Sequence, residues 1–298
     1  MENKKTFLEK WRRAADAFEI PKEAYKVSIK LVEDPSGNSG YSFAAIFNPH
    51  RYQRRVSYIK DSCPLCNTIA EARKDKDKNI FPEYSDLFVI TPNLFPLTEG
   101  ASIAISRQHR EMYSTRYISK LKEELDTIFK LSKELGVAAE HNSAGAGASI
   151  LDHEHWHLIY REAIFQQIGT TYGFEAVYCQ PTKTTNKVSI MSDFPFAHLI
   201  FNENDTEHIV YFLNKLEERI GSRFPNKEVP HGIAQGGNGI LVIPCKNFRE
   251  KGIGAGDMTG KMLFCSQEEF DNLTYKRCIR RLEERLFKEH ELNLEQFL

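Results

Sequence analysis

Long apolar runs are missing from this sequence. No stretch approaches the roughly 18 residues that a bilayer-crossing helix needs, so no membrane partner is expected. An excess of charge of either sign is missing too. The 40 Lys and Arg nearly balance the 41 Asp and Glu, for a formal net charge of −1. That gives no general attraction to nucleic acid or to a membrane surface. Cysteine is sparse, with six in 298 residues, and only Cys63 and Cys66 lie close in sequence. Such usage excludes a dense disulfide framework and predicts reduced thiols in a cytoplasmic protein. The opening M-E-N-K-K-T-F-L-E-K-W-R-R lacks the apolar centre of a signal peptide, so secretion is not expected. What is present is ordinary globular composition, 41% hydrophobic and 27% charged. The length suits one large domain or two smaller ones.

Hydrophobic periodicity gives an outline of elements. Residues 5–18 read as an amphipathic helix ended by Pro21. Residues 25–33 and 41–47 alternate like strands around the loop D-P-S-G-N-S-G. Residues 86–91 and 101–106 read as a strand pair around the turn P-N-L-F-P. Ile118, Leu121, Leu125, Ile128, Leu131 and Leu135 form one helical stripe within 115–136. The second half repeats this outline weakly: a strand at 196–202, a helix at 208–220, a strand at 237–244, and a last helix from about 267 to 288. The order suggests a degenerate duplication.

One stretch carries chemistry. In I-L-D-H-E-H-W-H-L-I-Y (150–160), His153, His155 and His157 recur at every second position. In a strand they share one face, with Glu154 and Trp156 on the other. The apolar Leu158-Ile159-Tyr160 that follows favours a strand. Imidazoles at period two serve either as metal ligands or in nucleophilic catalysis. The preceding S-A-G-A-G-A-S can bring backbone N–H groups close to phosphate oxygens, which makes Gly147 and Ser149 candidate contacts. The C-x-x-C at Cys63 and Cys66 is a metal or redox signal. His198, His231 and the other cysteines read as structural, and Trp156 as core.

These residues carry a resemblance. G-A-G-A-S-I-L-D-H-E-H-W-H resembles the active-site strand of the histidine triad superfamily. Asn48-Pro49-His50-Arg51 ahead of C-P-L-C, and T-P-N-L-F-P followed by I-S-R-Q-H, are similar to its galactose-1-phosphate uridylyltransferase-like and dinucleoside tetraphosphate phosphorylase-like branch. The motifs cover roughly residues 42–161, and residues 195–290 match only in outline. Two departures stand out. The third histidine position is usually glutamine in the uridylyltransferases, and the position of Glu154 is usually apolar.

The resemblance implies an α+β fold: an antiparallel sheet with packed helices in two triad-like halves, the second degenerate. It divides the chain into an N-terminal extension (1–41), a catalytic half (42–165) and a degenerate half (166–298). It implies His155 as a nucleophile that carries a nucleoside monophosphate, with His157 assisting at the phosphate. Arg51 is its best candidate for gripping phosphate, above Arg54 and Arg55. Asn93 and Asn142 are candidates for ribose or phosphate contacts, or equally for turn residues. A structural zinc, or iron in its place, would take Cys63, Cys66, His109 and His153. The implied activity is nucleotidyl transfer between a nucleotide sugar or dinucleoside polyphosphate and a phosphate or sugar-phosphate acceptor. The alternatives are a phosphorylase or hydrolase of the same donors, and a zinc-stabilised nucleotide-binding module without turnover. The family is often dimeric, so a homodimer is one expected assembly.

Overall fold

The structure is a computed structural model that describes residues 2–53, 63–81, 86–112, 118–148, 150–169, 181–184, 188–191, 194–202, 205–236, 239–247, 254–292 and 294. Ser149, Arg54, Arg55 and Cys179 lie outside the described residues.

Among the described residues a nine-stranded sheet forms the centre, in the order β3-β4-β6-β5-β10-β11-β9-β8-β7. The strands are β3 (Phe88–Pro92), β4 (Ser102–Ser106), β5 (Val137–Asn142), β6 (His155–Tyr160), β7 (Pro181–Thr184), β8 (Val188–Met191), β9 (Leu199–Asn202), β10 (His231–Gly236) and β11 (Gly239–Pro244). Every pairing within it is antiparallel. From β3 to β8 the order is symmetric about the β5–β10 pair. Each side is built from two strands, a helix and two strands: α3 (Ile118–Leu135) on one side and α5 (Thr206–Ile220) on the other.

Strand alternation separates the two faces of this sheet. Ile90, Ala104, Trp156, Leu158, Ala139, Ile233 and Val242 point to one face. There they meet Phe7 and Trp11 of α1 (Glu2–Ala17), the α3 stripe of Leu121, Leu125, Ile128, Leu131 and Leu135, and Ile209, Phe212, Leu213 and Leu216 of α5. The helical stripes legible in the sequence are therefore what buries this face, at roughly 1.5–3 kcal/mol for each large apolar side chain.

The opposite face carries the histidine row and has two covers. Over β3 and β4 lies α2 (Pro64–Lys74), whose Leu65, Ile69 and Ala72 pack on Val89, Ile103 and Ile105. Beyond β5, a separate three-stranded sheet and the C-terminal helices form the second cover. In that sheet β2 (Phe43–Phe47) pairs antiparallel with β1 (Ser28–Val32) and parallel with β12 (Lys261–Phe264). The segment 254–261 carries the short helix α6 (Ala255–Met258), whose Met258 packs with Leu241 and Ile243 of β11.

The expected helix from 267 to 288 is two helices, α7 (Gln267–Asp271) and α8 (Tyr275–Glu283). Ser266 and Thr274 each accept a bond from the backbone N–H three residues on. Thr274 thus starts a new helix where the apolar periodicity alone runs on. The helix α4 (Arg161–Ile168) and the strands β7, β8, β10 and β12 are further elements beyond the sequence outline.

His198 and His231 are buried, and each donates its Nδ1–H to the carbonyl two residues back, at 2.7 Å to Phe196 and 2.8 Å to Val229. Burial lowers both pKa values to about 4. Both rings are neutral in the folded chain at neutral pH and take up a proton on unfolding below about pH 6.5. The unfolded state then binds more protons, so stability falls as pH drops from about 6.5 towards 4, by about 3 kcal/mol for each histidine over the whole window. Denaturant unfolding at pH 7 and pH 5 should show this acid loss. A stability unchanged between the two would contradict neutral, buried rings.

Candidate active site and metal centre

The strand β6 begins at His155 and places His155 and His157 on one face. Their rings meet edge-on, with centroids 5.3 Å apart. His155 is 3% exposed. Its Nδ1 lies 2.8 Å from the His153 carbonyl oxygen. A carbonyl only accepts, so Nδ1 carries the proton and the lone pair is on Nε2. This is the tautomer that a nitrogen nucleophile needs.

Trp156 points the other way and is fully buried, as expected for a core residue. Glu154 also faces the helices. It is 1% exposed and accepts a 2.8 Å bond from Nε2 of the fully buried His141. Burial, with the charge of Arg110 second, lowers the His141 pKa to about 3, so the ring is a neutral donor. Arg110 in turn pairs with the buried Glu124 of α3. Glu154 thus stands at a position expected to be apolar because His141, on the neighbouring strand, supplies its hydrogen bond. The sequence gives no signal for that pairing.

At the start of β6, four side chains converge. Cys63 immediately precedes α2, with Pro64 as its first residue, so Cys63 and Cys66 share the first turn. His109 follows β4, and His153 precedes β6. Their donor atoms all lie within 4.8 Å of one another. Cys66 Sγ is 3.1 Å from His109 Nδ1 and 3.4 Å from His153 Nδ1, and Cys63 Sγ is 3.3 Å from His153 Nδ1. A tetrahedral zinc with about 2.3 Å Zn–S and 2.0 Å Zn–N bonds sets ligand edges of roughly 3.3–3.8 Å, close to these distances. The buried His153 has Nε2 2.7 Å from the Ser106 carbonyl. Nε2 therefore holds the proton, and Nδ1 turns its lone pair towards the thiols. The cluster can hold a metal ion.

The other sequence candidates are distributed as follows. Asn93 is buried, and its side-chain oxygen accepts from the Phe95 N–H at 3.0 Å, closing a turn. Asn142 points to the histidine face, two residues beyond Glu140, which pairs directly opposite His157. Its side-chain oxygen accepts from the Ala255 N–H, so it anchors the 254–261 segment. A Cβ at Gly254 would stand 2.9 Å from that oxygen, so the close approach needs glycine here. Gly147 has φ of +96°, open to glycine at little strain, in a turn that Arg285 holds through a 3.1 Å bond to the Gly145 carbonyl. Arg51 sits on the turn Pro49–Gln53 after β2. Its charge acts on Asp257 and Cys265, which tie it to the C-terminal cover.

Sequence reasoning missed a polar group on the histidine face. Glu140 of β5 pairs with Lys261 at 2.5 Å, and Thr259 donates to Glu140 at 3.0 Å. These residues are far apart in sequence, and only the folding of 254–261 onto β5 unites them. On the symmetric strand β11, the row that holds His157 and Glu140 continues through Ala234 to Leu241, with no imidazole.

No family model matches the chain, and no curated protein matches it. Solved structures do. The crystal structure of yeast Ap4A phosphorylase Apa2 superposes with a TM-score of 0.71 at 15% identity, covering 96% of this chain and 97% of that one. The same enzyme in complex with AMP gives 0.68 at 15% identity, with 96% of each chain covered. Its complex with Ap4A gives 0.68 at 16% identity, covering 97% of this chain and 98% of that one. The α+β architecture expected from the motifs is therefore matched end to end: this protein has the fold of yeast Ap4A phosphorylase.

Proposed function

We propose that this protein transfers a nucleoside monophosphate through a covalent nucleotidyl-His155 intermediate, with a dinucleoside polyphosphate or nucleotide sugar as donor. The observation that carries the reading is the 2.8 Å bond from His155 Nδ1 to the His153 carbonyl just ahead of the strand, which puts the lone pair on Nε2. That nitrogen attacks the α-phosphorus. The P–N bond forms as the bond to the bridging oxygen breaks, and the leaving phosphate departs with the electron pair. An acceptor phosphate oxygen then attacks the same phosphorus, and the P–N pair returns to Nε2. His157 and the backbone N–H groups of the turn at Gly147 stabilise the charge that builds on the phosphoryl oxygens, with Ser149 and Arg51 as further candidate phosphate contacts. Inorganic phosphate is the favoured acceptor, because the fold matches that of a phosphorylase over nearly the whole chain. Transfer to a sugar phosphate and hydrolysis are the other forms of the same chemistry.

The Cys63, Cys66, His109 and His153 cluster would hold zinc, or ferrous iron, as a closed structural site beside the nucleophile strand. The ion would anchor that strand and take no part in the transfer. The symmetric strand order supports two duplicated halves, of which only the first kept its imidazoles. Among the described residues no helix is long and apolar enough to cross a membrane.

The test is intact-protein mass after brief incubation with diadenosine tetraphosphate and a panel of UDP-, GDP-, CDP- and ADP-sugars, under conditions that preserve acid-labile adducts. A gain of one nucleoside monophosphate is expected. The absence of both adduct and product with every donor would leave a binding module instead.

A further inference from the structure

The Glu140–Lys261 pair is out of place as a purely structural feature. Both side chains are buried, 5% and 7% exposed, and the pair is closed by Thr259, whose hydroxyl donates to Glu140 at 3.0 Å and lies 2.7 Å from Lys261 Nζ. Removing two such charges from water costs several kcal/mol for each ion, and apolar residues of similar volume often serve stability as well or better. Stability alone therefore does not account for it.

Its location does. Glu140 is directly opposite His157 in the sheet, so its side chain stands on the same face as both histidines. Two residues of strand, about 7 Å, separate that row from His155. A Cβ at Gly256 would come within 3.3 Å of the other Glu140 oxygen, so 254–261 comes down on the carboxylate at close range. An anionic phosphate chain extending from His155 towards His157 would meet Glu140 and be repelled by it unless a cation stood between. Lys261 is the cation paired with Glu140 on that face.

We propose that Lys261, held by Glu140 and Thr259 on the histidine face, makes the site selective for polyphosphate chains over a single phosphate. Lys261 shares its ammonium between Glu140 and the phosphates beyond the one at His155. Glu140 is a positioning residue that keeps the lysine on this face. A monophosphate seated at His155 does not extend to the pair. This inference rests on the nucleotide-transfer reading for its choice of ligand, but it is tested by binding alone.

Equilibrium binding of AMP and of a methylene-bridged diadenosine tetraphosphate, which resists turnover, is measured by titration calorimetry on the full chain. In the wild type the tetraphosphate should bind more tightly. In Lys261→Met its advantage over AMP should fall about ten-fold, the worth of one charge-assisted contact. The double variant Glu140→Gln/Lys261→Met removes both charges and leaves no unpaired carboxylate, so it guards against misfolding, and it should lose the same advantage. Lys261→Arg should keep much of it. A folded double variant with the wild-type ratio would overturn the proposal, as would a wild type that prefers AMP. If both nucleotides bind but the hydrolysable donors give neither adduct nor product, the transfer reading fails while the binding ratio still decides the role of Lys261. If neither binds, the role proposed for Lys261 fails, and the nucleotide-sugar arm of the adduct test decides the transfer reading.

Discussion

His155→Ala should lower turnover by about 10⁴-fold or more and abolish the nucleotidyl adduct, with the fold intact. The size follows from the role proposed for it. A residue that forms the covalent bond cannot be replaced by a neighbour, and removal of a nucleophile in other enzymes costs this much or more. His157→Ala should do less, about 10²–10³-fold, because in the proposed mechanism it removes one group that stabilises charge while the nucleophile stays. The ring of His155 is buried against His157, while the core formed with α1, α3 and α5 is on the opposite face of the sheet. The truncation should therefore leave a cooperative thermal transition. The measurement is steady-state turnover and intact mass side by side on both variants. A His155→Ala protein that still turns over at a tenth of the wild-type rate would remove the covalent mechanism.

Metal loss should have the second large effect. Cys66→Ser, or exhaustive chelation, is expected to empty the site and lower the melting temperature by about 10 °C. Structural zinc contributes about 10–16 kcal/mol to the folding of isolated zinc-finger peptides. Here α2 and β6 have apolar contacts of their own, so only part of that is at stake, about 3–5 kcal/mol. For a chain of this size each kcal/mol is worth about 2–4 °C. Burial, and Cys63 beside it, raise the Cys66 thiol pKa in the absence of metal. Activity should fall together with metal content, because the His153 carbonyl that orients His155 belongs to the cluster that could hold the metal. Metal analysis and thermal melts, before and after chelation, check this. A fully active wild type purified without metal would end the claim.

Much of the geometry of the candidate site is legible in the sequence, for a local reason. Period two in H-E-H-W-H puts the imidazoles on one face of a strand whatever the fold around it, and β6 does this. The C-x-x-C spacing pairs two thiols across one turn of chain. The α3 stripe and the symmetric strand–helix pattern are likewise periodic signals, which is why they survive without tertiary information. Asn93 was undecided between a turn and a ligand, and its oxygen closes a turn.

What the sequence determined by itself, then, is chemistry that repeats within a few residues: the histidine row, the thiol pair, and the stripes that bury one face of the sheet. Only the tertiary structure decided the partners. It brought His109 and His153 to the thiols, gave the out-of-pattern Glu154 its histidine, broke the last helix at Thr274, and laid Lys261 against Glu140 opposite His157. These pairings join residues from separate elements through strand register and the docking of a short segment. No spacing along the chain encodes them, because a hydrogen bond or ion pair depends on distance in space and not on order in sequence.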